Sequence, residues 1–109
     1  SDLEFYLKEK VNLKRMIELT SENAAKRYGL FPEKGSLQIG TDADFTIIDL
    51  NKPYLIEESK LHSKGKYSPF NNTAFSCSID KTIVRGKIVF DSEKGILQKP
   101  GYGKFIRRT

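Results

Sequence analysis

GSLQIGTDADFTIIDL, Gly35 to Leu50, decides how the rest of the chain is read. Gly35 and Gly40 allow the backbone to bend twice, and Asp42 and Asp44 are placed to accept hydrogen bonds from neighbouring amides, as turn-forming aspartates do. Phe45, Ile47 and Ile48 follow as the core of a strand. Because side chains alternate, Phe45 and Ile47 take one face and Thr46 and Ile48 the other. The spacing therefore predicts an interior strand, covered on both sides.

Downstream, Asn51 to Pro53 breaks the strand, and Tyr54 to Ile56 reads as a short extended piece. Glu57 to Lys60 is long enough for one helical turn. His62 to Thr73 is rich in Gly, Pro, Asn and Ser and reads as a loop. Ala74 to Val84 and Lys87 to Phe90 read as two strands around an Arg85-Gly86 hairpin turn. In the first of these, Phe75, Cys77, Ile79 and Ile83 form the apolar side, and Ser76, Ser78 and Asp80 the wet side. Asp91 to Gly95 is a further turn. The remaining residues, 96–109, predict an extended tail anchored by Phe105 and Ile106.

Upstream, Leu3, Tyr6, Leu7 and Val11 sit at helical spacing, and the chain opens in the midst of that periodic segment. The natural protein is accordingly expected to begin further upstream. Asn12 is placed to cap a short helix through Leu13, Met16 and Ile17, ending near Leu19. Ser21 or Asn23 caps a second, whose packing side is Ala24, Ala25 and Tyr28. Gly29 then supplies its C-terminal stop, with Lys26 and Arg27 at the negative end of the dipole.

Several ordered motifs resemble the C-terminal part of metal-dependent amidohydrolases that open cyclic amides. These are the Gly-punctuated approach to Asp-Ala-Asp from Lys34 to Phe45, and the helix Glu22, Asn23, Ala24, Ala25, Lys26, Arg27, Tyr28, Gly29 and Leu30. A loop carrying Lys66, Ser68, Pro69 and Phe70 follows, then the hairpin Thr82, Ile83, Val84, Arg85 and Gly86, and the ending Gly103, Lys104, Phe105 and Ile106. Within that superfamily the run looks most like allantoinase, with dihydropyrimidinase/hydantoinase and then dihydroorotase as alternatives. The resemblance implies an α+β fragment. Residues 1–31 would be closing helices of a (β/α)8 barrel, residues 32–95 part of a small β-sandwich domain, and residues 96–109 a C-terminal tail. It also implies a binuclear zinc centre in the full-length parent, the N-terminal barrel as this segment's partner, and a homo-oligomer.

The chemistry of such an enzyme needs histidines, a bridging carboxylated lysine and an aspartate around the metal. This chain has one histidine, His62, beside Ser63 and Lys64, and it reads as a loop residue. Asn23 reads as a helix cap, and Asp42 and Asp44 as turn formers with too few companions to hold a cation. No catalytic, cofactor-binding or metal-ligating residue is therefore assigned, and the chain by itself is expected to be structural. Surfaces made by Met16, Ile17, Tyr28 and Leu30 would then face the missing barrel, or in isolation pair with another copy.

Composition narrows the other classes. The net charge of +5 comes from 19 basic and 14 acidic residues interspersed along the chain, the pattern of a solvated surface and not of a nucleic-acid footprint. Lys104, Arg107 and Arg108 form the one local basic run. It leaves a self-contained interaction module with an acidic partner as the reading from a different class. The single cysteine, Cys77, has no partner for an internal disulfide and reads as a small strand residue. No stretch has the length of a membrane span and no signal-peptide pattern opens the chain, so the expected location is cytoplasmic, without membrane or nucleic-acid partners.

Overall fold

The structure, a computed structural model, describes residues 12–107. The helix read at Leu3, Tyr6, Leu7 and Val11, and the last basic residue, Arg108, lie outside the described residues. Two compact units are distinguished. One comprises residues 12–44 and 99–107 together with Val84–Gly86, and the other Phe45–Ile83 with Lys87–Gln98.

In the first unit, α1 (Leu13–Ile17) starts where the sequence predicts, with the Asn12 side chain accepting from the Arg15 N–H at 2.8 Å. It does not stop near Leu19. A π-helical segment, Glu18–Glu22, carries the backbone straight into α2 (Asn23–Arg27), and the Asn23 N–H donates to the Glu18 carbonyl five residues back. Asn23 is consequently the first residue of α2 and has helical dihedrals, and neither it nor Ser21 caps anything. Because the helix never restarts, there are no orphan amides there to cap. Thr20 Oγ1 donates to the Met16 carbonyl at 2.8 Å, giving that hydroxyl a partner within the helix.

The C-terminal stop follows the sequence closely. Gly29 has φ +72°, its N–H donates to Lys26, and Leu30 N–H donates to Ala25 at 2.8 Å, the paired bonds of a Schellman ending. Ala25 is buried, at 6% exposure, against Gly35. Tyr28, read as part of the packing side, is exposed. Met16 and Ile17 are exposed too, and Leu30 is half-buried.

The second unit carries a four-stranded sheet in the order β1-β4-β5-β6. Its strands are β1 (Phe45–Asp49), β4 (Ser78–Val84), β5 (Lys87–Asp91) and β6 (Gly95–Ile96). Between β1 and β4 in the chain, β2 (Tyr54–Leu55) pairs antiparallel with β3 (Ala74–Phe75) as a separate ribbon. The single helical turn expected over Glu57 to Lys60 is a 3-10 turn at Glu58–Lys60. The long strand read over Ala74 to Val84 is interrupted at Ser76 and Cys77, so that its two ends belong to different sheets.

β1 departs furthest from the interior strand that its sequence predicts. Among the described residues β1 lies at the edge of the sheet, paired only with β4, and its Phe45, Ile47 and Ile48 are exposed. Its apolar character asks for cover on both faces, and the described residues supply too little. A bulge between Ile47 and Ile48 leaves Asp80 of β4 as the extra residue, so strict alternation fails there. Asp80 is held by donors from Ser92, whose N–H reaches its carbonyl at 2.8 Å and whose hydroxyl reaches Oδ1 at 3.2 Å. Of the apolar side expected on β3 and β4, Ile83 is buried, at 9% exposure, whereas Phe75 and Ile79 are open. Asp91 Oδ1 accepts from the Glu93 and Lys94 N–H groups at 2.9 and 3.2 Å, closing the β5–β6 turn where the sequence places it.

Candidate functional site

A polar cluster lies in the first unit, where the approach turn, the hairpin tip and the tail converge. Asp42 and Asp44 both face Lys34. Its Nζ lies 2.8 Å from Asp42 Oδ2 and donates to Asp44 Oδ2. Asp44 Oδ1 accepts from the Arg85 N–H at 2.8 Å, and the Gly86 N–H donates to the Ala43 carbonyl at 2.9 Å. The sequence reading gave these aspartates local amide partners. Instead Asp44 reaches an amide 41 residues away, so it joins distant segments instead of closing its own turn.

The hairpin tip needs that support. Arg85 and Gly86 have φ of +47° and +79°, the pair of left-handed residues of a two-residue type I′ turn. Glycine adopts this region freely; arginine rarely does. The Arg85 guanidinium lies 4.4 Å from the Tyr102 ring centroid and donates to the Tyr102 carbonyl, while Tyr102 Oη donates to the Val84 carbonyl at 2.7 Å. Among the described residues, Tyr102 thus attaches the tail to the hairpin tip. Phe105, one of the two anchors expected from the sequence, is 90% exposed, whereas Ile106 is half-buried.

The electrostatics suit holding and not proton transfer. Burial works against the charge on Asp44, but the hydrogen bonds from Lys34 and from the Arg85 N–H outweigh it and bring its pKa below the ordinary value. Burial likewise works against the charge on Lys34, and the Asp42 and Asp44 partners together raise its pKa. A lysine held as its ammonium is a poor base and a poor nucleophile, and a carboxylate with both oxygens engaged has little left for a substrate.

A second feature belongs to the other unit. Ile48, Tyr54, Ile56, Phe75, Cys77 and Phe90 are among the residues lining an apolar groove of about 550 Å³. Cys77, half-buried, is one wall of it.

The remaining candidates are dispersed. His62 is exposed in the loop after the 3-10 turn, Asn23 is exposed on α2, and Lys104 and Arg107 are exposed on the tail. Among the described residues no three of His, Cys, Asp and Glu come together as a metal site. The two aspartates with a ligand-like spacing are taken up by Lys34 and Arg85, so the residues present do not fit the metal centre that the resemblance implies. Among the described residues no helix is long and apolar enough to cross a membrane. Sequence reasoning missed Lys34, Arg85 and Tyr102 as a connected set. The available signals were a lysine just before the aspartate turn, an arginine at a two-residue hairpin tip, and a tyrosine set between glycines.

Comparison with known proteins extends this picture. Residues 3–89 match the profile of the Amidohydrolase family. The chain is 39% identical over 102 residues to an L-hydantoinase of Paenarthrobacter aurescens, covering 93% of this chain and 22% of that protein. It is 36% identical over 99 residues to a D-phenylhydantoinase of Escherichia coli O1:K1, covering 91% of this chain and 21% of that one. The solved L-hydantoinase (dihydropyrimidinase) of Arthrobacter aurescens superposes with a TM-score of 0.85 at 37% identity, over 93% of this chain and 22% of that structure. The chain therefore spans about a fifth of the length of the relatives it matches.

Proposed function

The chain belongs to the amidohydrolase family, and from that premise we propose that it is the C-terminal portion of a hydantoinase- or dihydropyrimidinase-type hydrolase. The observation that carries this is the similarity to hydantoinases along more than nine-tenths of the chain, in sequence and in backbone alike. It favours the hydantoinase alternative over the allantoinase-like reading. The Asp-Ala-Asp approach, the Ser-Pro-Phe loop and the Arg-Gly hairpin that suggested allantoinase build scaffold, and scaffold does not report which ring is opened.

The parent reaction would add one water across a ring amide, breaking the C–N bond and leaving a carboxylate and a ureido group. In this reading the metal, zinc by the resemblance, and its ligands belong to a barrel N-terminal to the segment, and the segment's contribution is architectural. Residues 1–31 would close that barrel, residues 32–95 would form part of a β-sandwich, and residues 96–109 would be the tail. The open edge of β1 and the apolar groove beside it support the idea that further strands of the same protein complete the sandwich. A homo-oligomeric parent in the cytoplasm belongs to the same proposal.

The test is ring opening by the full-length gene product, followed as release of the carbamoyl amino acid from a hydantoin, with and without a chelator. The proposal expects turnover that the chelator abolishes and added zinc restores. A full-length product that opens no cyclic amide with any divalent metal overturns it.

A further inference from the structure

We infer that residues 99–107 are a strap that holds the Arg85-Gly86 turn in its left-handed form, with Tyr102 as the buckle. The turn is gripped from two sides. The approach turn satisfies its amides, Arg85 N–H on Asp44 Oδ1 at 2.8 Å and Gly86 N–H on the Ala43 carbonyl at 2.9 Å. Among the described residues the tail engages the rest of it through Tyr102. The Tyr102 hydroxyl binds the Val84 carbonyl, its carbonyl accepts from the Arg85 guanidinium, and its ring lies beneath that guanidinium at 4.4 Å.

Three contacts on one side chain and its own backbone make and break together. A non-glycine residue at φ +47° persists only where its surroundings hold it, so the conformation of Arg85 depends on whether Tyr102 is seated. Beyond the buckle, Lys104, Phe105 and Arg107 are exposed, and Gly101 and Gly103 flank Tyr102 with few steric limits on lifting it.

The experiment is amide hydrogen exchange on the full-length protein, read by mass spectrometry with fragmentation fine enough to separate Arg85 and Gly86 from Glu93 and Lys94. Tyr102→Phe, which removes the hydroxyl bond alone, is expected to speed exchange at Arg85 and Gly86 about fivefold. Tyr102→Ala is expected to speed it on the order of tenfold or more. Glu93 and Lys94, whose amides donate to Asp91, serve as the internal reference and should not change. Deleting residues 104–109 should leave Arg85 and Gly86 protected, because the buckle remains. The inference is overturned if both tyrosine variants leave Arg85 and Gly86 unchanged. It is equally overturned if Glu93 and Lys94 accelerate to the same degree, or if the deletion loosens the turn as much as loss of the side chain. Should Tyr102→Ala fail to fold, Tyr102→Phe is judged by the same criteria.

Discussion

Replacing Gly35 by alanine tests whether the contact between the approach turn and α2 holds the first unit together. A Cβ on Gly35 would lie 2.5 Å from the Ala25 Cβ, 3.1 Å from the Ser21 carbonyl oxygen and 3.4 Å from the Glu22 Cα. Carbon atoms in van der Waals contact sit about 3.5–4.0 Å apart, so the first of these is an overlap of roughly 1 Å. Ala25 has no flexible end to withdraw, and its carbonyl is fixed by the Leu30 and Phe31 amides at 2.8 and 3.2 Å. Overpacking of this kind costs about 1–3 kcal/mol. The left-handed backbone, φ +82°, adds about 1–2 kcal/mol for any residue with a Cβ. Together these predict a loss of about 2–5 kcal/mol. Gly40→Ala is the control, since its φ is +94° but nothing lies within 4 Å of the added carbon. It should lose only the strain, about 1–2 kcal/mol. Urea unfolding of both variants measures the difference, and with a slope near 2 kcal/mol/M the Gly35 variant should shift its midpoint by about 1–2.5 M. Equal losses at Gly35 and Gly40 would refute the packing argument.

Other predictions concern the clasp that Lys34, Asp44, Arg85 and Tyr102 form, the core and the loop. Asp44 has a depressed pKa, so its contribution is present above the unfolded value near 3.9 and is lost as pH falls through the folded one. Lys34 has a raised pKa, so its contribution is present below about 10.4 and is lost as pH rises through the folded value. Melting temperature against pH should therefore be highest between about pH 4 and 10, and Asp44→Asn should flatten the acid limb; an unchanged acid limb would count against the clasp. Ile83→Ala should cost about 2–5 kcal/mol in denaturant titration, while Phe105→Ala should stay within about 0.5 kcal/mol. His62→Ala in the full-length protein should leave the rate of hydantoin opening unchanged, and a loss of more than tenfold in kcat would place that loop at the reaction.

Local signals were the legible ones. The Asn12 cap, the Gly29 stop, the helical turn after Glu57 and the Asp91 turn each depend on residues within a few positions, and each forms where the sequence places it, the third as a 3-10 turn. The π segment was not legible, because Ser21 and Asn23 look like cap residues when the continuing backbone is unknown. Nor was the edge position of β1. Its two apolar faces report the cover it is suited to, and a strand's pattern carries no record of which segment supplies that cover. The clasp was invisible for a different reason. Lys34, Asp44, Arg85 and Tyr102 are joined only by tertiary folding, and three of the four are charged residues that are ordinary on a surface.

The most direct test of the proposed function is substrate selectivity of the full-length gene product, measured as kcat/KM for a 5-substituted hydantoin, dihydrouracil, allantoin and dihydroorotate under one set of conditions. Hydantoin or dihydrouracil should exceed allantoin and dihydroorotate by at least about tenfold, a difference of about 1.4 kcal/mol in transition-state binding. Preference for allantoin or dihydroorotate by the same margin would contradict the hydantoinase assignment.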